Sequence, residues 1–255
     1  MFRATMFCTR FLCTLAFLLA LTVALDFAPN VSAQNSSSHH HDHSSMSMPM
    51  DEDPATLLAD KKESEFNHHL AGIFVILAGL FILSGERVQN RFQAIKYAWP
   101  LCFLLSGIFV MVFSDTELWP FGPKNWWVGV FGPGNFEVLQ HKTFALILLV
   151  LGVIEILRAK GTIKSLWAAW VFPVLAAAGS VMLLFHSHDA GMHGPDAMST
   201  MHHIQMQHFS YAALGVGIAI TKGVADTETS WSRVSRYVWP TLMVILGLVL
   251  ARYTE

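Results

Sequence analysis

Gln207-His208-Phe209-Ser210-Tyr211-Ala212-Ala213-Leu214-Gly215-Val216-Gly217-Ile218-Ala219-Ile220-Thr221-Lys222 is an apolar run that a histidine opens and a lysine closes. A helix of this kind approaches the length needed to cross a hydrocarbon core of ~30 Å. It is the main part of a run near 205–222, and five others resemble it, near 67–84, 98–114, 139–157, 167–185 and 237–252. The last of them is short. Composition agrees with the runs. Of the 255 residues 53% are hydrophobic and only 13% charged, against about 25% charged in a soluble domain. The mean hydropathy is +0.46. The expected fold is an all-α integral membrane protein with six transmembrane helices. A formal net charge of -2 argues against a nucleic-acid partner.

Loop charge orients the runs. Three connections are basic, carrying Arg87, Arg91 and Lys96, then Arg158, Lys160 and Lys164, then Lys222, Arg233 and Arg236. The two connections between them hold Lys124 alone outside the helix ends. Basic loops stay in the cytoplasm, so both mature termini are expected outside. Lys61 and Lys62 lie outside against the rule, which a secreted N-terminus overrides. All 13 histidines then fall on the outer side or at outer helix ends.

Residues 1–33 read as a secretory signal. Arg3 and Arg10 give the positive start, Phe11 to Leu25 the apolar core, and Val31-Ser32-Ala33 a small-residue cleavage site. An uncleaved anchor helix is the alternative and gives the same orientation. Cys8 and Cys13 leave with a cleaved signal. That leaves Cys102 in an apolar run as a small buried residue, with no disulfide framework. Residues 34–66 carry His39, His40, His41 and His43, then Met46, Met48 and Met50, in a polar setting that buries no core and is expected to be disordered. The segment reads as a metal-catching tail or as a plain linker. The domain plan is thus 1–33, 34–66 and a membrane domain over 67–255.

The six runs form three hairpins with an internal repeat. Each inward-going helix opens with an amide and a histidine, as Asn67-His68, Gln140-His141 and Gln207-His208. Thirty-two residues after each histidine comes a proline behind an aromatic, as Trp99-Pro100, Phe172-Pro173 and Trp239-Pro240. Four residues after each histidine sits a small residue, Gly72, Ala145 or Ala212. Positions four apart share a helix face, and a small residue there lets a neighbouring helix approach. The prolines suit the first turn of the outward helices, and their aromatic neighbours suit the membrane interface. The matched histidines His68, His141 and His208 are the candidates for one shared site, because ionisable groups in spans tend to face the bundle interior. Separate helix-end hydrogen bonding is the plainer explanation of each.

Soft donors surround that repeat. The stretch from Gly191 to His208 brings Met192, His193, Met201, His202 and His203 to the start of the fifth span, with no Lys or Arg. Met198, Met201, Gln205 and His208 fall on one helical stripe, with His202 near it and His203 elsewhere. His186-Ser187-His188, in extended chain, points both rings to one side. Thioether and imidazole together suit copper. Met201, His186, His188, Met192, His193, His202 and His203 are therefore candidate ligands, the last four as approach or shell residues. In the loop at 115–138, Asp115 and Glu117 are candidates to orient imidazoles or else solvated acids, and the tryptophans suit an interfacial lid. Glu155, an acid inside a span, is expected to pair with Arg158.

Outer-face histidines opening membrane helices, Met/His loops and a six-span body resemble the copper resistance protein D group of bacterial inner-membrane proteins. The resemblance covers about residues 67–252 and rests on architecture and on His68, His141 and His208. The signal, the His-rich tail and the shorter chain depart from that group, which puts active transport in doubt. The resemblance implies copper handling in the inner (cytoplasmic) membrane, with histidines at the periplasmic face. The function expected is copper binding for tolerance or delivery. Its partners are copper ions, the lipid bilayer and a periplasmic copper carrier. Zinc is a further metal for the imidazoles. The alternative is a membrane electron-transfer protein with one b-type haem between two of the histidines. No nucleophile–base arrangement, phosphate-cradling loop or Cys-x-x-Cys motif is present, so no enzymatic activity is assigned; copper oxidase chemistry at the three histidines stays open.

Overall fold

Residues 54–133, 135–185, 197–227 and 229–254 are described in a computed structural model. The regular elements are helical: α1 (Pro54–Val88), a 3-10 turn (Gln93–Tyr97), α2 (Ala98–Phe113), α3 (Trp126–Phe131), α4 (Phe136–Lys160), α5 (Leu166–Leu183), α6 (Ala197–Ala225) and α7 (Ser232–Leu250). The expected signal (1–33), the His-rich part of the tail, and the loop with His186, His188, Met192 and His193 lie outside the described residues.

Each apolar run lies on one of these helices. Three stretches are long and apolar enough to cross a membrane: Lys61–Gly85, Gln93–Phe113 and Ser232–Leu250. The last run, short in the sequence, gains length because α7 begins at Ser232. The apolar part of α5, Trp167–Leu183, is shorter. Both α4 and α6 have the length but carry polar residues near their starts, such as Gln140 and Lys142, or Gln205 and Gln207. Local signals fix several ends. Asn125 accepts from the Trp127 amide at 2.8 Å to start α3, and Ser165 accepts from the Trp167 amide at 3.3 Å to start α5. Gly161, at φ 79°, ends α4 in the left-handed conformation that glycine accepts without strain.

One expectation is corrected at the start of the membrane domain. Residues 54–66, expected to be disordered with the rest of the tail, are the first turns of α1. Ala, Leu, Lys and Glu are good helix formers, and Lys61 and Glu65 add an i,i+4 pair at 4.0 Å.

Small residues close the helices from Lys61 onward into a ring. A Cβ placed on Gly72 of α1 would lie 2.6 Å from the Gly247 carbonyl of α7, and one on Gly247 would lie 2.6 Å from the Gly72 carbonyl. The two backbones therefore touch where any side chain would hold them apart. The same contact recurs between α2 and α4, where a Cβ on Gly107 would meet the Ala145 carbonyl at 3.1 Å. Ser180 of α5 lies against Gly215 of α6 as the third version. Each proline-bearing helix thus packs on the histidine-bearing helix of the next hairpin, and the last packs on the first. The small residue expected one turn below each histidine is what admits these neighbours: Ala145 and Ala212 are 0% and 3% exposed.

At the far end of the ring the structure corrects three readings. Trp99, Phe172 and Trp239, expected at the membrane interface, meet one another inside the bundle. Their ring centroids are 6.3 Å apart for Trp99–Phe172, 5.8 Å for Trp99–Trp239 and 5.6 Å for Phe172–Trp239. The prolines behind them follow suit. Pro100 lies in the first turn of α2 as expected, but Pro173 and Pro240 are inside α5 and α7, which begin earlier. Lys222, counted above as a loop charge, is 4% exposed within α6. Its ammonium lies 5.8 Å from the Phe172 ring and 5.3 Å from the Trp239 ring. A desolvated cation–π contact of this kind is worth about 2 kcal/mol. Arg233 and Arg236 still leave that connection basic.

Candidate metal centre

The histidine end is built on the starts of α1, α4 and α6. His68 and His208, on α1 and α6, stand with ring centroids 6.1 Å apart and planes inclined by 37°. His208 is 2% exposed. The His68 Nδ1–H donates to the Ser64 carbonyl at 2.8 Å. A carbonyl only accepts, so Nδ1 carries the proton and Nε2 the lone pair when the ring is neutral. Metal-ligating histidines are commonly held in this way by a backbone carbonyl.

Tyr253 completes the pair. It is 0% exposed and stacks on His68 at 3.8 Å, with its centroid 6.2 Å from that of His208. Its carbonyl accepts from His69 Nε2 at 2.9 Å. The next residue is also tied down, since Gln207 Nε2 donates to the Thr254 carbonyl at 2.8 Å. Tyr253 and Thr254 therefore lie against the histidine-bearing stretches of α1 and α6. Gln140, the matching amide on α4, donates to the Met182 and Phe185 carbonyls at the end of α5, both at 3.4 Å. The amide before the histidine thus ties down the end of the partner helix in two of the hairpins, a role its repeated position marks but does not disclose.

His141 takes a different partner. Its Nδ1–H donates to Asp115 Oδ1 at 3.0 Å, while Asp115 Oδ2 lies 2.7 Å from Lys142 Nζ and accepts from the Ser114 hydroxyl at 2.5 Å. Lys142, which the loop-charge argument did not weigh, is 7% exposed and also donates to the Met111 carbonyl at 3.0 Å. Burial pushes the Asp115 carboxyl up. Hydrogen bonds from His141, Lys142 and Ser114, with the His141 charge, outweigh that and leave it below the ordinary carboxylate value. Asp115 is the acid that orients an imidazole, one of the two roles the sequence left open. Glu117 instead pairs with Lys124 at 2.5 Å.

The structure brings His68 and His208 together and holds His141 on Asp115. Among the described residues no group of three or more His, Cys, Asp or Glu side chains could hold a metal ion. Of the three matched histidines, His68 and His208 are the two whose rings lie near one another, and His141 is paired with Asp115. Met201 is 41% exposed, His202 is exposed and His203 half-buried. Met201 shares the azimuth of His208 but lies seven residues nearer the start of α6, ~10 Å higher along the axis. Height rather than direction keeps it out of the buried layer, where Ile204 stands instead at 4% exposed.

Comparison with protein-family models, curated proteins and solved structures finds no match. The chemistry of the site rests on its own residues.

Two imidazoles sharing one ion, with metal–nitrogen bonds of about 2 Å, have ring centroids roughly 5–6 Å apart. The 6.1 Å of the His68–His208 pair lies at the upper edge of that range. Cu(I) takes imidazole and thioether alike.

Proposed function

We propose that this chain is a six-span copper-binding protein of a bacterial inner membrane, with its histidine end at the periplasmic face and His68 and His208 as the core of the copper site. Three helices have the length and hydropathy for spans. The three remaining runs, on α4, α5 and α6, follow one another around the ring and complete the hairpins. The basic connections lie together at the opposite end, which favours a cytoplasmic location for it.

The single observation that carries the reading is the meeting of His68 and His208. They come from different hairpins, 140 residues apart, at a separation suited to one small ion. The His68 tautomer is fixed toward ligation by Ser64. His141, oriented by Asp115, serves as a third imidazole or as a step on the way in. The exposed Met201 and His202 sit above the pair, where incoming metal passes. His186, His188, Met192, His193 and His203 join them as exchangeable donors on the approach. Copper is the cargo; the residues bind, orient and cover it. The reading is tolerance or delivery, in the manner of the copper resistance protein D group that the sequence resembles, with a periplasmic carrier as the donor or acceptor.

A b-type haem between the same two rings is the competing reading. Two imidazoles on opposite faces of one haem iron also stand roughly 6 Å apart, so the 6.1 Å between His68 and His208 suits either group, and the visible spectrum of the purified protein separates the two readings.

Metal analysis of detergent-purified protein in which His39, His40, His41 and His43 are replaced by serine tests the proposal. Copper retained by this parent and lost when His68→Ala/His208→Ala is added supports it. Equal copper in both, or a Soret band in the parent, overturns it.

A further inference from the structure

At the proline end, 14 residues along α6 from His208, a second site is built from charges that copper binding does not use. Glu155 of α4 pairs with Arg158 at 2.6 Å, the local ion pair expected from the sequence. Arg158 also reaches Asp226 at 3.1 Å, and Lys222 pairs with Asp226 in turn. Beside this chain lies a cavity of about 390 Å³ lined by Ile82 and Leu83 of α1, Lys222 and Ala225 of α6, Asp226, and Arg236, Tyr237 and Trp239 of α7. One wall is apolar and the other cationic. Lys222 is 4% exposed, pinned on the Phe172 and Trp239 rings. Arg236 has no carboxylate partner among the described residues.

We propose that this cavity binds a phosphate-bearing anion, supplied in the membrane by the head group of an anionic phospholipid. The charge count favours an anion. Arg158, Lys222 and Arg236 stand against Glu155 and Asp226, three positive against two negative, so one positive charge is left over at the cavity. The Asp226 carboxylate is already engaged by two cations and does not repel the ligand as a bare charge does. Arg236 supplies the planar fork that suits phosphate oxygens. Ile82, Leu83 and Trp239 supply the surface against which a glycerol backbone and the first acyl carbons pack. Basic pockets between spans on the cytoplasmic side take phospholipid head groups by this chemistry. The site does not rest on copper, and loss of metal at the other end leaves it unchanged.

The test compares full-length wild type, Arg236→Gln and Lys164→Gln in nanodiscs of phosphatidylglycerol or of phosphatidylcholine, and in detergent with or without inorganic phosphate. Arg236 and Lys164 are both exposed, so neither substitution disturbs the core. Retained lipid is read by native mass spectrometry and stability by the unfolding midpoint. Phosphatidylglycerol is expected to be retained in preference to phosphatidylcholine. Retention should weaken roughly fivefold in Arg236→Gln and stay unchanged in Lys164→Gln. Equal weakening in the two variants means diffuse surface charge and overturns the site. So does the absence of any Arg236-dependent effect of either phosphatidylglycerol or phosphate. Stabilisation by inorganic phosphate alone, dependent on Arg236, supports the anion site and overturns the lipid as its source.

Discussion

His68 and His208, 140 residues apart in the chain, stand with ring centroids 6.1 Å apart beneath the fully buried Tyr253. The pair exists because α1 and α7 touch backbone to backbone and α6 packs beside them. Three consequences for stability and exchange follow from the contacts around it.

Tyr253 is both a packing residue and a cover. Replacing a buried aromatic by alanine costs about 3–5 kcal/mol, so Tyr253→Ala is expected to lower the unfolding midpoint in detergent. It should also speed copper release, since the stacking contact at 3.8 Å is what closes over His68. Tyr253→Phe keeps the ring and should keep slow release. Stopped-flow transfer of copper to a chelator measures the rate, and equal rates for the Ala and Phe variants would remove the cover role.

Gly72 and Gly85 lie on the same helix and predict opposite outcomes. A methyl group on Gly72 meets the Gly247 carbonyl at 2.6 Å, and overpacking of that kind costs about 1–3 kcal/mol. A methyl group on Gly85 meets nothing within 4 Å, and alanine in a helix is worth up to about 1 kcal/mol over glycine. Gly72→Ala should therefore unfold earlier than wild type and Gly85→Ala at the same point or later. Thermal unfolding followed by circular dichroism decides it.

The sequence disclosed the histidine repeat, the helical runs and the small residues below the histidines, because all three are periodic along the chain. It did not disclose the burial of Lys222. The lysine that ends the opening stretch reads as a loop charge until Phe172 and Trp239, from two other helices, are seen beneath it. Trp99, Phe172 and Trp239 showed their register but not their direction, since an aromatic before a proline fits an interface and a core equally. Tyr253 gave no signal at all. It follows the last apolar run, outside every repeat, and its role depends on the turn at Ala251 and Arg252 that ends α7. His141 and Asp115 were both marked, but the bond between them depends on the loop that follows α2.

Asp115 makes stability depend on pH. Its folded carboxyl lies below the ordinary value, about 3.9 in an unfolded chain. Its contribution is therefore fully present above that value and is lost as pH falls through the depressed folded one. Asp115→Asn leaves Lys142 buried without its carboxylate, a change that costs about 3–5 kcal/mol. The variant should unfold earlier at pH 7, with the gap to wild type closing on acidification. Asp115→Asn/Lys142→Met should recover part of the loss. A gap that is constant from pH 7 to pH 3 would contradict the assignment.

The copper site is tested most directly by Cu(I) affinity, measured by competition with a chromogenic chelator. The background is a chain in which His39, His40, His41 and His43 are serine, so that the N-terminal histidines do not mask the buried pair. His68→Ala and His208→Ala should each weaken binding by at least about a hundredfold. Asp115→Asn, which touches the imidazoles at His141, should weaken it by no more than the roughly 10–100-fold typical of outer-shell partners. Unchanged affinity in both His68→Ala and His208→Ala would contradict the account at its centre.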